Sequence, residues 1–212
     1  MNELLKLCSA FGLSSAAGLN AYIPLLTLGI LQNRGMVSLS APYDTLGSPW
    51  CLALLAFLLV VELIVDKIPG ADHVNDAIMT LGRPVAGAIL FASQAGVLHG
   101  VHPAIWIVLG LLMSGGVHGA KALARPAVNV TTAGVGAPVA SAVENLLSLV
   151  MTIVAVLAPL LVIVLLGVFG WIVWKIFRHF FGRDRAIRVL AIPVADGQPL
   201  GWPENARVAE HP

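Results

Sequence analysis

PVASAVENLLSLVMTIVAVLAPLLVIVLLGVFGWIVWKIFRHFF, residues 138–181, decides the fold. Glu144 is its one charged residue before Lys175. As a single helix the run would be about 66 Å long, twice the roughly 30 Å of hydrocarbon that a span crosses. It has to fold back, and Pro159 is the place, because proline has no N–H to donate and its ring crowds the preceding turn. Four apolar runs precede it: residues 9–31, with Asn20 and Tyr22 as polar interruptions; 49–68, opening on Trp50; 84–98; and 103–123, which contains His118 and Lys121. The expectation is an all-α polytopic membrane protein with about six transmembrane helices, a transmembrane domain over 1–181 and a polar cytoplasmic tail over 182–212.

Composition agrees. Of 212 residues, 58% are hydrophobic and 11% charged, with a mean hydropathy of +0.90. A soluble domain carries roughly a quarter of its residues as charge, so lipid is the solvent expected for most of this chain. The net charge of +1, from 12 Lys+Arg against 11 Asp+Glu, gives no field for nucleic acid. Cys8 and Cys51 fall at opposite membrane faces, too far apart to pair.

Charge placement orients the chain. Six spans with both termini in the cytoplasm put Lys6, Lys67, Arg83, Lys121, Arg125 and the cluster Lys175, Arg178, Arg183, Arg185 and Arg188 inside, with Arg34 outside. That is the positive-inside pattern of an inner (cytoplasmic) membrane protein. LGRPVA (81–86) and LARPAV (123–128) both place Arg-Pro at an expected cytoplasmic helix boundary, and three spans per half would suit a 3+3 inverted repeat.

The polar residues inside these runs are the candidate site. Glu62 and Asp66 are i, i+4, on one helix face. A charge near the bilayer centre costs about 2.5–3.5 kcal/mol on insertion scales, so Glu62 should turn inward. Two carboxylates on one face imply a basic partner or a shared proton. His118, Lys121 and Arg125 share one face of the fourth span, Glu144 enters the fifth, and Asn20 adds an amide in the first. These groups meet only in a bundle interior. There they form either a polar cavity near the cytoplasmic face or an ion-paired knot that fixes helix register.

In ADHVNDAIMTLGRP (71–84), Asp72 and Asp76 are also i, i+4. Asp72 reads as a helix N-terminal carboxylate, but the pair with a nearby Glu could hold a divalent cation such as Mg²⁺. Arg83 and Arg125 would then be phosphate or anion contacts. His99 and His102 make an incomplete metal site and read as loop residues. Ser14/Gly18, Ala17/Ala21 and Gly115/Gly119 permit close helix packing, within the bundle, in a homo-oligomer or against a membrane partner.

SSAAGLNAY (14–22), ELIVDKIPGADHVNDAIMTLGRPVAGAI (62–89), HGAKALARPAVN (118–129) and the later Glu144 together resemble a bacterial membrane family known as domain of unknown function 4126. The resemblance covers roughly residues 10–165 and implies a bacterial multi-span architecture, without a chemistry. The residues favour a small secondary transporter or permease-like carrier, with Glu62, Asp66 and Glu144 coupling protons or ions and Asn20, His118 and Lys121 contacting substrate or balancing charge. The alternatives are a metal-dependent membrane enzyme acting on lipid phosphates, through Asp66, Asp72 and Asp76, and a non-catalytic subunit of a membrane complex.

Overall fold

The computed structural model describes residues 3–67, 71–94, 102–132 and 136–190, with backbone alone at 71–74, 76–77, 126–131, 176–177 and 179–190. The described residues form seven α-helices and one 3-10 turn, with no strand among them. The helices are α1 (Glu3–Leu19), α2 (Tyr22–Asn33), α3 (Pro49–Val65), α4 (Ala71–Gln94), α5 (Pro103–Thr131), α6 (Ala137–Leu157) and α7 (Leu161–Leu190). The 3-10 turn, Tyr43–Gly47, links α2 to α3. The chain divides into two units, Met1–Phe169 and Gly170–Pro212, and α7 runs through the division.

α1 is the axis of the first unit. It packs on α4, α5 and α6, and its residues from Cys8 to Leu19 are buried except Phe11. Small side chains allow this. A Cβ at Gly18 would strike the Ser114 carbonyl and Val117, and one at Gly12 would strike Ala155 and Val162. α4 and α5 meet backbone to backbone, since a Cβ at Gly110 would collide with the Gly87 carbonyl and Ala88. Gly87→Val is therefore expected to destabilise the bundle by at least the 1–3 kcal/mol, about, that overpacking costs, read as a lower midpoint of thermal unfolding. Gly119, with open space around it, should tolerate alanine. So Ser14/Gly18 and Ala17/Ala21 serve the interior of the bundle, whereas Gly115/Gly119 lie outside its tight contacts.

Pro159 interrupts the long apolar run as expected. α6 ends at Leu157, Ala158 leaves the helical region (φ −140°, ψ 64°), and α7 starts at Leu161. Ala155 and Val162 both press on Gly12, although a continuous helix would separate them by about 10 Å. α3 begins where Pro49 takes the first helical position and the Ser48 hydroxyl accepts from Cys51 N at 3.3 Å.

Several boundaries differ from the sequence reading: α5 runs on through Pro126 to Thr131, past the expected end at 123, and α7 runs to Leu190, into the expected tail. The run 9–31 is two helices. Pro24 has no N–H for the Asn20 carbonyl, and the chain breaks there between Leu19 and Tyr22. The third segment does not begin at Pro84 either: α4 starts at Ala71 and carries Pro84 in its interior. Arg83 is thus in mid-helix, about 18 Å along α4 by helical rise, and fully buried. Lys121 and Arg125 are likewise buried on α5. Arg83 is therefore not at a cytoplasmic helix boundary, whereas Lys121 and Arg125 lie on the shared face of α5 with His118 that the spacing indicated.

Among the described residues, large apolar side chains are exposed and several charged ones are buried. Trp50, Phe57, Leu81, Leu112, Leu146 and Leu161 are exposed, while Glu62, Asp66, Arg83, His118, Lys121 and Arg125 are buried. Two helices, Pro103–Arg125 and Ala137–Leu157, are long and apolar enough to cross a membrane, with 28% and 22% of their most apolar windows buried. A soluble core helix of that composition would be mostly buried, so these point their apolar side chains outward. Pro49–Val65 and Leu161–Lys175 are shorter apolar helices.

Candidate functional site

Three carboxylates and three fixed cations meet among α3, α4, α5 and α6. On α3, Glu62 and Asp66 are one turn apart and both are buried. Arg83 reaches Glu62 from α4, with Nη2 donating to Oε1 at 3.0 Å. Its Nη1 lies 2.9 Å from His118 Nδ1 on α5. A guanidinium only donates, so Nδ1 accepts, and a neutral His118 carries its proton on Nε2. That nitrogen faces Thr80 Oγ1 at 3.3 Å. The Ser114 hydroxyl donates to the Arg83 carbonyl at 2.7 Å, so the arginine ties α4 to both α3 and α5.

Asp66 is held differently. Its Oδ2 accepts from the Ser141 hydroxyl of α6 at 2.5 Å, and its Oδ1 from the Asn75 amide of α4 at 3.1 Å. Glu144 of α6 takes two cations on one oxygen: Lys121 Nζ at 2.7 Å and Arg125 Nη2 at 3.0 Å. Lys121 also interacts electrostatically with Glu62 and Arg83, which links the two groups.

The break in the first apolar run feeds into the same place. Lys121 Nζ donates to the Leu19 carbonyl at the end of α1, 3.3 Å away, a favourable position for a cation at a helix C-terminus. Asn20 Oδ1 accepts from the backbone N–H groups of Tyr22 and Ile23 at 3.0 and 3.1 Å and so caps α2. Its Nδ2 donates to Asn145 Oδ1 at 2.9 Å, next to Glu144. The Ser148 hydroxyl lies between the Ala16 and Asn20 carbonyls, at 3.0 and 3.4 Å, and supplies a donor where Pro24 cannot.

Glu62, Asp66, Asn20, His118, Lys121 and Glu144 all occupy this region, and they are paired. Arg83 and Arg125, the expected phosphate or anion contacts, pair with Glu62 and Glu144. Sequence reading missed Asn75, Thr80, Ser141 and Asn145. Asn145 was detectable as the neighbour of Glu144; the others carry no signal apart from helical spacing. The side chains of Asp72 and Asp76, the proposed metal ligands, lie outside the described residues, as does His99. Among the described residues no group of three or more His, Cys, Asp or Glu could hold a metal. His102 accepts from Ala104 N at 3.2 Å at the start of α5, a structural role.

These features define the class: an all-α bundle with a buried charged network, two of whose helices can span a membrane. The chain belongs to the family described as domain of unknown function (DUF4126), whose model matches residues 7–179. Neither a curated protein nor a solved structure gives a significant match.

Proposed function

We propose that this protein crosses the bacterial inner membrane six times and works as a small secondary carrier, with its charged network toward the cytoplasmic side. α1 and α2 together make the first, broken crossing, and α3 to α7 the remainder. With Arg83, Lys121 and Arg125 buried in the bundle, the orientation rests on Lys6, Lys67 and the basic cluster from Lys175 against Arg34. It keeps both termini in the cytoplasm. The same cluster would favour anionic headgroups at that face.

One observation carries the reading: a helix broken in mid-crossing, whose loose ends meet buried charge. The last carbonyl of α1 contacts Lys121, and the capping Asn20 contacts Asn145 beside Glu144. Irregular backbone at membrane depth is tolerated where protein or a water-lined path satisfies it. Carriers place substrate and coupling ions at such half-helix ends. Glu62 is then the coupling carboxylate, held by Arg83 when no substrate is bound, and Glu144 the anion that occupies Lys121 and Arg125 until substrate competes for them.

Full pairing is also what register-fixing glue would show, and the test separates the two. Purified protein is reconstituted in liposomes under a pH gradient, and internal pH is followed with a dye while a panel of small solutes is added. The carrier reading expects solute-dependent proton flux that falls to the empty-liposome baseline in Glu62→Gln. Unchanged flux in a folded Glu62→Gln protein would remove Glu62 from the mechanism. Absence of flux with every solute, together with loss of a co-purifying membrane protein in the same variant, would make the chain a subunit instead.

A further inference from the structure

The charged network is not evenly balanced. Glu144 faces two cations, Lys121 and Arg125, at 2.7 and 3.0 Å. At the other end, Arg83 meets Glu62, while Asp66 accepts only from the neutral Ser141 and Asn75 among the described residues. Among the described side chains, the network therefore has a basic end on α5 and α6 and an acidic end on α3.

Within the acidic end the two carboxylates differ. Both oxygens of Asp66 are occupied by donors. Glu62 Oε1 receives Arg83, but Glu62 Oε2 is buried with no hydrogen-bond partner among the described residues. Its side chain is 1% exposed. A buried carboxylate oxygen without a donor is costly, and most of that cost comes from the charge. Two like charges one helical turn apart add to it.

The geometry points to Glu62 Oε2, and not to Glu144, as the atom where this protein takes up a proton. The inference deepens the carrier reading by naming its coupling ion. It rests on that reading for the use of the proton, not for its place. The proton comes from water and forms an O–H bond on Oε2, which leaves Glu62 neutral. The O–H bond of a hydronium ion breaks and a water molecule is left; the ion pair with Arg83 becomes an ordinary hydrogen bond, and Arg83 keeps its contact with His118. The other charged or titratable groups facing the site are Asp66 on α3, Tyr22 on α2, and His118 and Lys121 on α5.

Infrared difference spectroscopy of the full chain in lipid bilayers reads this without a substrate. Lowering the pH from about 8 to about 6 leaves exposed carboxylates ionised, and protonation of an imidazole adds no carboxylic acid C=O stretch. The expected result is a gained carboxylic acid band that is lost in Glu62→Gln, moves in Glu62→Asp and is unchanged in Glu144→Asp. The Asp variants keep the charge and cover the case in which Glu62→Gln does not fold. A spectrum with no gained band, a band that survives Glu62→Gln, or one that moves in Glu144→Asp and not in Glu62→Asp overturns the inference. A Glu62 band in a protein that shows no flux with any solute would leave the proton site standing and end the carrier reading.

Discussion

Arg83→Met is expected to lower the stability of the bundle by about 3–5 kcal/mol, the usual cost of removing one partner from a buried ion pair. Glu62 would stay buried without the cation bonded to its Oε1, and His118 would lose the donor at Nδ1. Purified protein should unfold at lower temperature in detergent and show an aggregated fraction on size exclusion. Glu62→Gln combined with Arg83→Met should recover much of the loss, because the remaining groups are neutral. Additive losses in the double variant would mean that the two residues act independently, and the 3.0 Å contact would not be what holds α3 to α4.

The second large effect is at the other end of the network. Glu144→Leu removes the shared counter-charge of Lys121 and Arg125 and leaves two cations side by side on α5. The Glu144 side chain is 15% exposed, so water screens part of the interaction. The expected loss is near the lower end of the same range, about 3 kcal/mol. Adding Arg125→Met, which leaves one cation instead of two, should restore more stability than adding Leu123→Met at an exposed position. Equal effects from the two additions would show that charge is not the cause.

Much of this arrangement is legible in the chain because it follows from helical spacing. Glu62 with Asp66, and His118 with Lys121 and Arg125, are set on common faces by i, i+3 and i+4, and the structure buries both faces. The break at Pro159 follows from its missing N–H. Proline misled at Pro84 because a boundary rule considers only local backbone. The 3 kcal/mol or so of a proline inside a helix is outweighed when the preceding arginine pairs with Glu62 and its carbonyl receives Ser114. The opposite error occurred at Asn20: the run 9–31 is apolar enough for one helix, and only the spacing Asn20 to Pro24 marks the carbonyl left without a donor. Partners such as Ser141 and Asn75 come from other helices, and sequence distance does not reveal them.

The contact between Gly87 and Gly110 has a mechanical consequence. Where two backbones touch with no side chains between them, there is nothing to compress or slide. α4 and α5 can turn only as one piece, and α1, seated on Ser114 through Gly18, travels with them. The backbone can turn more freely at Asn20, whose carbonyl faces a proline, and there α2 leaves the line of α1.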